Sequence, residues 1–229
     1  MSLPVIVIAT PHSRNDRLED QLRGRLPGFR IVRIRGRDEL SATALEALAP
    51  QFVFFPHWPW LVPEHIHESF TCVIFHMTDL PYGRGGSPLQ NLIVRGHQQT
   101  VVSALRCEAE VDAGPIYLKR PLSLLGTAEE ILQRASDVIE SMIVEIAECQ
   151  PVPQPQQGQV VSFKRRRPQD GDLAGLTELQ QVFDFIRMLD ADGYPAAFLT
   201  TEHLRVEFCD ARFEPESVEA RVRITKRQL

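Results

Sequence analysis

Short apolar runs alternate with helix-like segments through the first part of the chain. Pro4–Thr10 is apolar enough for a strand buried on both faces, and further short strands are expected at Ile31–Ile34 and Gln51–Phe55. Helical patterns separate the three runs. Because such alternation requires parallel pairing with right-handed crossovers, it predicts an α/β fold with a doubly wound, mostly parallel sheet. Functional loops of such a sheet follow the carboxyl ends of its strands.

A change in composition marks the expected end of the main domain. A capping box at Thr127–Glu130 opens a long helix, and residues 150–159 are rich in proline and glutamine. We therefore expect the main domain over residues 1–150, and over residues 151–229 a linker with a small α+β subdomain. A second capping box, which begins at Thr177, predicts the helix of that subdomain, and short strands are expected after it.

Charge and cysteine content narrow the classes of function. The chain is 43% hydrophobic, which predicts a packed core, and its formal net charge of -5 argues against nucleic acid as a partner. Its four cysteines form no CxxC pair, so free thiols are expected rather than disulfides or a metal site. The amino terminus has no basic leader or long apolar segment, which predicts a soluble cytoplasmic protein with no membrane partner.

The stretch Thr71–Ser87 has the features of a ligand site. Its β-branched and aromatic run predicts a buried strand that delivers His76 to the edge of the sheet. A loop with three glycines follows, and a helix is predicted to begin at Pro88. A strand, a histidine, a glycine-rich loop and a helix together indicate a site at the carboxyl edge of an α/β sheet.

Two other segments are candidates for binding. Pro56–Pro63 contains both tryptophans, and its stiff aromatic loop offers flat surfaces to a ring-shaped ligand or covers the core as a hydrophobic lid. Residues 107–114 form an acidic turn closed by Gly114. Turns of this kind are most often solvated. For each of the two segments, both ligand binding and a purely structural or solvated role stay open.

The stretch around His76 resembles the folate-dependent formyltransferases, which include methionyl-tRNA, glycinamide ribonucleotide and sugar N-formyltransferases. Members have a loop of the form HxSLLPxxRGxxP and an aspartate in a D-x-G turn. The corresponding segments here are His76–Pro88 and Asp112–Gly114, with Asp112 placed 36 residues after His76. The similarity covers residues 50–125, and FKRRRPQDGDL and FIRMLDADGYPAAF extend it downstream.

The resemblance implies a Rossmann-like formyltransferase fold, 10-formyltetrahydrofolate as co-substrate and no metal. It implies His76 and Asp112 as catalytic residues. The implied folate-binding residues are Trp58, Trp60, Leu61, Glu108, Val111 and Asp112. The implied acceptor-binding residues are Thr78, Arg84, Gly85 and Gly86.

The residue sequence of the loop is most similar to that of enzymes of pseudaminic-acid-type pathways. This resemblance implies a UDP-linked deoxyamino sugar as acceptor. The part of the chain after the linker is also small for a nucleic-acid platform, and Arg84 can contact a phosphate. The alternatives are another amine, on methionyl-tRNA, hydroxyornithine or a carrier-bound amino acid, and a non-catalytic folate or sugar-nucleotide binding protein. The terminal helix and strands suggest a homodimer.

One position departs from the family pattern. Members have an asparagine two residues before the histidine, where this chain has Ile74, which cannot donate a hydrogen bond. Either Thr78 or Asn91 replaces the asparagine, or histidine and aspartate work alone. His76 itself, the backbone N–H groups near Gly85 and Gly86, and another side chain are the candidates for stabilising an oxyanion. The sequence leaves open which group acts.

Overall fold

The computed structural model describes residues 2–227. Contacts divide them into two compact units, which interleave along the sequence. The first unit contains the chain up to Gly85, Val101–Leu122 and Gln133–Ser162, and the second contains Gly86–Thr100, Ser123–Leu132 and the chain from Phe163 onward. The domain boundary that was predicted from composition, after residue 150, stays a prediction.

Eleven strands and six α-helices are assigned within the described residues. The strands are β1 Val5–Ala9, β2 Arg30–Ile34, β3 Pro50–Phe55, β4 Cys72–His76, β5 Tyr82–Gly85, β6 Gln99–Arg106, β7 Ile116–Ser123, β8 Val161–Phe163, β9 Ala197–Thr200, β10 Leu204–Glu214 and β11 Ser217–Lys226. The helices are α1 Asp16–Arg25, α2 Ala42–Leu48, α3 Glu64–His67, α4 Pro88–Ile93, α5 Ala128–Cys149 and α6 Leu179–Arg187.

A six-stranded sheet with the order β2-β1-β3-β4-β6-β7 forms the centre of the fold. β1 pairs in parallel with β2 and β3, and β3 pairs in parallel with β4. All five residues of β1 are buried, as expected for a strand with neighbours on both edges and packing on both faces. The predicted α/β fold with a mostly parallel sheet is therefore confirmed.

The sheet changes direction beside β4. β6 pairs antiparallel with β4, and in this register His76 lies opposite Ser103. The hydroxyl of Ser103 donates to the carbonyl of Thr78 at 2.7 Å, so the chain that leaves β4 is fixed to β6. The connection between β6 and β7 carries Asp112. The strand reversal therefore puts the histidine and the aspartate on neighbouring parts of the first unit.

One hydrophobic cluster of the first unit lies behind this part of the sheet. It joins buried residues of β1, β3 and α2, such as Val7, Phe55 and Leu45, and side chains of the tryptophan loop pack against it. Burying a large aliphatic or aromatic side chain typically stabilises a fold by about 1.5–3 kcal/mol. The cluster therefore gives the strand ends a rigid support.

The second unit contains a three-stranded antiparallel sheet with the order β11-β10-β9. Its small core is built from Leu173, Ile186 and Ala197. The predicted C-terminal subdomain of helix and strands is thus confirmed. Its helix begins differently from the prediction, however, because Glu178 occupies the N-cap of α6 and makes no side-chain capping bond. The capping box that was predicted at Thr177 was therefore wrong.

Among residues 2–227, none of the helices combines the length and the apolar composition that crossing a membrane requires. No group of three or more histidine, cysteine, aspartate or glutamate side chains within the same residues could hold a metal ion.

Candidate active site

His76 ends β4 and is almost fully buried, with 8% of its surface exposed. Its Nε2 lies 2.7 Å from the carbonyl oxygen of Gly83. Because a carbonyl only accepts hydrogen bonds, Nε2 carries the proton in this contact. The hydroxyl of Thr78 donates to the same oxygen at 3.4 Å. The glycine-rich loop thus returns over the end of β4 and presents a carbonyl, rather than an N–H group, to the histidine.

Asp112 faces the other nitrogen of the ring. Its Oδ2 lies 3.5 Å from Nδ1 of His76, and the same oxygen accepts a 2.9 Å hydrogen bond from the backbone N–H of Gly85. His76 therefore lies between two acceptors. A neutral ring donates to one of them, whereas an imidazolium can donate to both.

The backbone of the D-x-G turn explains why these residue types occur there. Asp112 has φ +54°, in the left-handed region that aspartate and asparagine tolerate better than most residues. A Cβ at Gly114 would lie 1.9 Å from the carbonyl oxygen of Arg106, so only glycine fits. The carboxylate is therefore aimed by a turn that few sequences can form.

Arg84 is held by protein groups on both sides. Its Nη1 donates to Glu110 at 2.9 Å, and its Nε and Nη2 donate to Oε1 of Gln156 at 3.1 and 2.9 Å. The Nε2 of Gln156 donates in turn to the carbonyls of Asp112 and Gly114, at 2.7 and 2.9 Å. Gln156 was missed in the sequence because it lies in a segment that composition marks as a linker.

Gly86 and Asn91 belong to the second unit and have packing partners there. A Cβ at Gly86 would lie 2.5 Å from Cβ of Arg165, so glycine is required here for the segment that carries Arg165 to pack closely. The N–H of Gly86 donates to the carbonyl of Phe163 at 3.2 Å. The side-chain NH₂ of Asn91 donates to three carbonyls, and its Oδ1 accepts from Arg95.

The side chains and N–H groups considered as substitutes for the family asparagine are therefore already bonded. Thr78 and Asn91 donate to backbone carbonyls, and the N–H groups of Gly85 and Gly86 donate to Asp112 and Phe163. Ile74 lies in β4, two residues before His76.

The tryptophan loop serves both the core and the surface. Trp58 packs edge-on against Phe55, with ring centroids 5.7 Å apart, and joins the hydrophobic cluster. Trp60 lies 4.8 Å from the Trp58 ring and is 38% exposed, and Leu61 is 77% exposed. Trp58 therefore has the packing role expected of a lid, and ligand binding by Trp60 and Leu61 stays a prediction.

The acidic turn is mostly on the surface. Val111 is 51% exposed and Glu108 is exposed, whereas Asp112 is buried. Burial, with the neighbouring carboxylates of Asp112 and Glu108, raises the pKa of the Cys107 thiol to about 11. Cys107 therefore stays protonated at neutral pH and is a poor nucleophile.

A second polar cluster lies beyond β3. Nε2 of His57 is 3.3 Å from the hydroxyl of Ser136, which donates to Asn15 at 2.9 Å. Burial, with the positive charges of Arg14 and His12, lowers the pKa of His57 to about 3, although part of the ring reaches the surface. His57 is therefore neutral in the folded protein at physiological pH.

Comparison with known proteins identifies the family. A solved structure of a methionyl-tRNA formyltransferase from Clostridium thermocellum is 42% identical in sequence and superposes with a TM-score of 0.95. The match covers 98% of this chain and all of that chain. The chain belongs to the formyltransferase family. This family takes its formyl group from 10-formyltetrahydrofolate, so the predicted co-substrate is confirmed.

Other relatives support the assignment. A family model described as the C-terminal domain of methionyl-tRNA formyltransferase matches residues 168–225 of this formyltransferase. The methionyl-tRNA formyltransferase of Wolinella succinogenes is 26% identical over 172 residues, which cover 72% of this chain and 55% of the relative. The chain spans just over half the length of the first curated relatives that it matches, between 55% and 58%.

These similarities correct the prediction of a sugar acceptor. A sugar N-formyltransferase from Shewanella is 12% identical, with a TM-score of 0.67 and coverage of 88% of this chain and 94% of that chain, which shows a common fold alone. The match at 42% identity is to a methionyl-tRNA formyltransferase. The predictions of a UDP-linked amino sugar as acceptor and of no nucleic-acid partner were therefore wrong, and the likeness to pseudaminic-acid-type enzymes is not confirmed. Net charge misled because it averages over the surface and conceals local basic segments such as Lys164–Arg167.

Proposed function

We propose that this formyltransferase moves a formyl group from 10-formyltetrahydrofolate to the α-amino group of methionyl-tRNA. The proposal depends chiefly on the full-length similarity to the Clostridium thermocellum protein. Matches to curated methionyl-tRNA formyltransferases and to their C-terminal domain model point to the same acceptor. Because the chain is shorter than the curated relatives, its acceptor has to be tested directly.

Formyl transfer requires an unprotonated amine, stabilisation of the negative charge that forms on the formyl oxygen, and a proton for the departing nitrogen. We assign the movement of protons to Nε2 of His76, which in the charged ring gives its proton to the departing nitrogen and then takes the proton that the attacking amine loses, so the proton count balances. Asp112 has the geometry to stabilise the charged ring through the 3.5 Å contact with Nδ1. Its bond from the N–H of Gly85 fixes the carboxylate in place.

The Nε2–H of His76 has a second role in this proposal. In the structure it donates to the carbonyl of Gly83. A formyl oxygen placed beside the ring would compete for the same N–H, and the exchange would cost little because one acceptor replaces another. The histidine can then supply the hydrogen bond that the family asparagine gives in other members, in place of Ile74. Thr78 remains bonded to Gly83 and helps hold the loop during this exchange.

We place the donor ring at the surface formed by Trp60 and Leu61 with the nearby turn that contains Glu108 and Val111. Exposed apolar side chains beside a buried carboxylate suit a pterin, whose faces are apolar and whose edge is polar. The indole Nε1 of Trp58 is buried and has no hydrogen-bond partner among the described residues, so it is available as a donor. This assignment uses the residues that the sequence suggested for folate binding.

For the acceptor we propose supporting rather than direct roles for the glycine-rich loop. Arg84 is 14% exposed and is bonded to Glu110 and Gln156, so it orders the loop beside the acceptor and has little surface left for a phosphate. Gly85 supports Asp112. A cytoplasmic location is also part of the proposal, because all four cysteines are free, as is usual in a reducing compartment.

The test is a formylation assay with the purified chain. 10-Formyltetrahydrofolate is mixed with charged initiator methionyl-tRNA, and the release of tetrahydrofolate and the formation of formylmethionine are both followed. Uncharged tRNA and free methionine are the controls. We expect turnover with the charged tRNA and none with uncharged tRNA. Absence of transfer to methionyl-tRNA, when donor binding is intact, would overturn the proposed acceptor.

A further inference from the structure

We propose that Gln156 is a positioning residue that keeps Asp112 aimed at His76. The proposal concerns the proposed formyl transfer and rests on it. Gln156 lies in the proline- and glutamine-rich segment that follows α5, outside the motifs of the site. Its role is inferred from the four hydrogen bonds of its side chain.

The amide of Gln156 connects the two segments that carry the active-site contacts. Its NH₂ group donates to the carbonyls of Asp112 and Gly114, the first and last residues of the D-x-G turn. Its oxygen accepts two bonds from the guanidinium of Arg84, in the glycine-rich loop. Both hydrogens of the amide and both lone pairs of its oxygen are thus used.

The turn needs such support. Asp112 has φ +54°, in the left-handed region that residues other than glycine seldom adopt. Two hydrogen bonds from the neutral amide of Gln156, to the carbonyls of Asp112 and Gly114, hold that conformation. Without them, the turn can relax toward a commoner conformation, and the carboxylate then leaves the 3.5 Å contact with His76.

The segment that carries Gln156 is itself anchored. Gln154 and Ile116 exchange backbone hydrogen bonds of 2.8 and 2.7 Å, so the chain is held beside the first residue of β7. Val161 donates to the carbonyl of Pro81 at 3.2 Å, which fixes the other end of the segment. Because the backbone is held on both sides of Gln156, its side chain can keep the turn of Asp112 in place. A side chain on a flexible linker could not do so.

Substitutions at position 156 separate the role of the NH₂ group from that of the amide oxygen. Gln156→Glu keeps an acceptor for Arg84 but loses the NH₂ group that bonds the turn. Gln156→Asn is one methylene shorter and cannot reach both segments. Gln157→Ala, at the exposed neighbouring glutamine, is the matched control.

We expect Gln156→Ala and Gln156→Glu to lower kcat by at least about tenfold, with changes in KM for donor and acceptor below about threefold, because displacing a reacting group by about 1 Å is costly. Gln157→Ala should match the wild type. Full activity of Gln156→Glu would overturn the proposal, because the bonds to the turn would then be dispensable. If Gln156→Ala is unstable, Gln156→Asn and Gln156→Glu give the same comparison.

A double variant tests whether Gln156 acts through Asp112. In an Asp112→Asn background, adding Gln156→Ala should lower kcat by less than about twofold more, because residues that act as a unit are not additive. If the two effects multiply in full, Gln156 acts independently and the proposal is wrong.

A second measurement does not depend on the acceptor. The ring nuclei of His76 can be titrated with pH by NMR in the free protein, and Gln156→Ala should move the midpoint in the same direction as Asp112→Asn. An unchanged midpoint would overturn the positioning role. Lack of formyl transfer by the wild type with a normal NMR result would count against the proposed function and leave this inference supported.

Discussion

The proton on Nε2 of His76 is fixed by a single backbone oxygen, that of Gly83. With that proton in place, Nδ1 of the neutral ring turns a lone pair toward Asp112, and the ring gains a second hydrogen bond when it becomes charged. Acid–base work requires a site that accepts both forms at small cost. The pair of His76 and Asp112 has the geometry for such an exchange, with an acceptor beside Nε2 and a carboxylate beside Nδ1.

The first prediction concerns this pair. His76→Ala and Asp112→Asn should each lower turnover by at least about a hundredfold, the usual contribution of a general acid or base. Asparagine tolerates the left-handed backbone at position 112, so Asp112→Asn removes charge without disturbing the turn. Steady-state formylation and circular dichroism would be measured together. A folded variant with near-normal kcat would remove that residue from the mechanism.

The second prediction separates the two tryptophans. Trp60→Ala should weaken donor binding several-fold and lower the melting temperature less than Trp58→Ala does, because its ring is partly at the surface. Trp58→Ala should chiefly lower stability, by about 3 kcal/mol or more, because its ring packs on Phe55 and the hydrophobic cluster. Tetrahydrofolate titration and thermal unfolding give the two quantities. Equal donor affinity in Trp60→Ala and the wild type would show that the loop is only a lid.

At the scale of secondary structure, the sequence predicted most elements because their signals are local. The buried run of β1, the strand ending at His76 and the capping box of α5 all follow from neighbouring residues, and all are present. β5 was not predicted, since Tyr82–Gly85 has two glycines and looks like loop. Its partner comes from β8, far along the chain, and only tertiary contacts specify such a pairing.

The site shows the same division between local and distant signals. His76 and Asp112 were found from a motif and its spacing. Gln156 was missed because its four bonds reach residues 42 to 72 positions away, and no local pattern marks it. The capping box predicted at Thr177 was wrong for a related reason. Its residue pattern matches that of the box at Thr127, but helix α6 begins later, after Glu178.

The third prediction compares these two caps. Thr127 accepts from the N–H of Glu130 at 3.3 Å, and Glu130 accepts from the N–H of Thr127 at 2.9 Å. Thr127→Ala should therefore lower the free energy of unfolding by about 1 kcal/mol. Thr177→Ala, the matched control, should change it by less than about 0.5 kcal/mol. Urea unfolding would measure both, and equal losses would contradict the assignment of the helix starts.

At the scale of the whole molecule, buried ionisable groups connect stability to pH. His57 is the clearest case, because burial keeps its pKa near 3 in the folded chain against an ordinary value of 6.5. Between these two values the unfolded chain binds one proton more than the folded chain. Stability from this group is therefore complete above pH 6.5 and is lost as the pH falls toward 3.

The fourth prediction follows from this sign. Between pH 7 and pH 5 the protein should lose up to about 2 kcal/mol of unfolding free energy through His57. His57→Asn should show a smaller loss over this range, since asparagine does not titrate and tolerates the φ of +52°. His65→Asn, at an exposed position, should keep the wild-type dependence. Urea unfolding at pH 7 and pH 5 would measure the loss of unfolding free energy in the three proteins. Equal losses in all three would contradict the buried state of His57.

The reversal of strand direction beside β4 also bears on how such a protein can diversify. The side chains of His76 and Asp112 are held by the β4–β6 strand pair, the turn that follows β6, and the glycine-rich loop through Gly83 and Gly85. Insertions or deletions in the loops that follow β1 and β2 can therefore be made without altering the polar contacts that set the spacing of the two groups. A library that varies only those loops should keep the contact of His76 with Asp112 and, with it, the reaction.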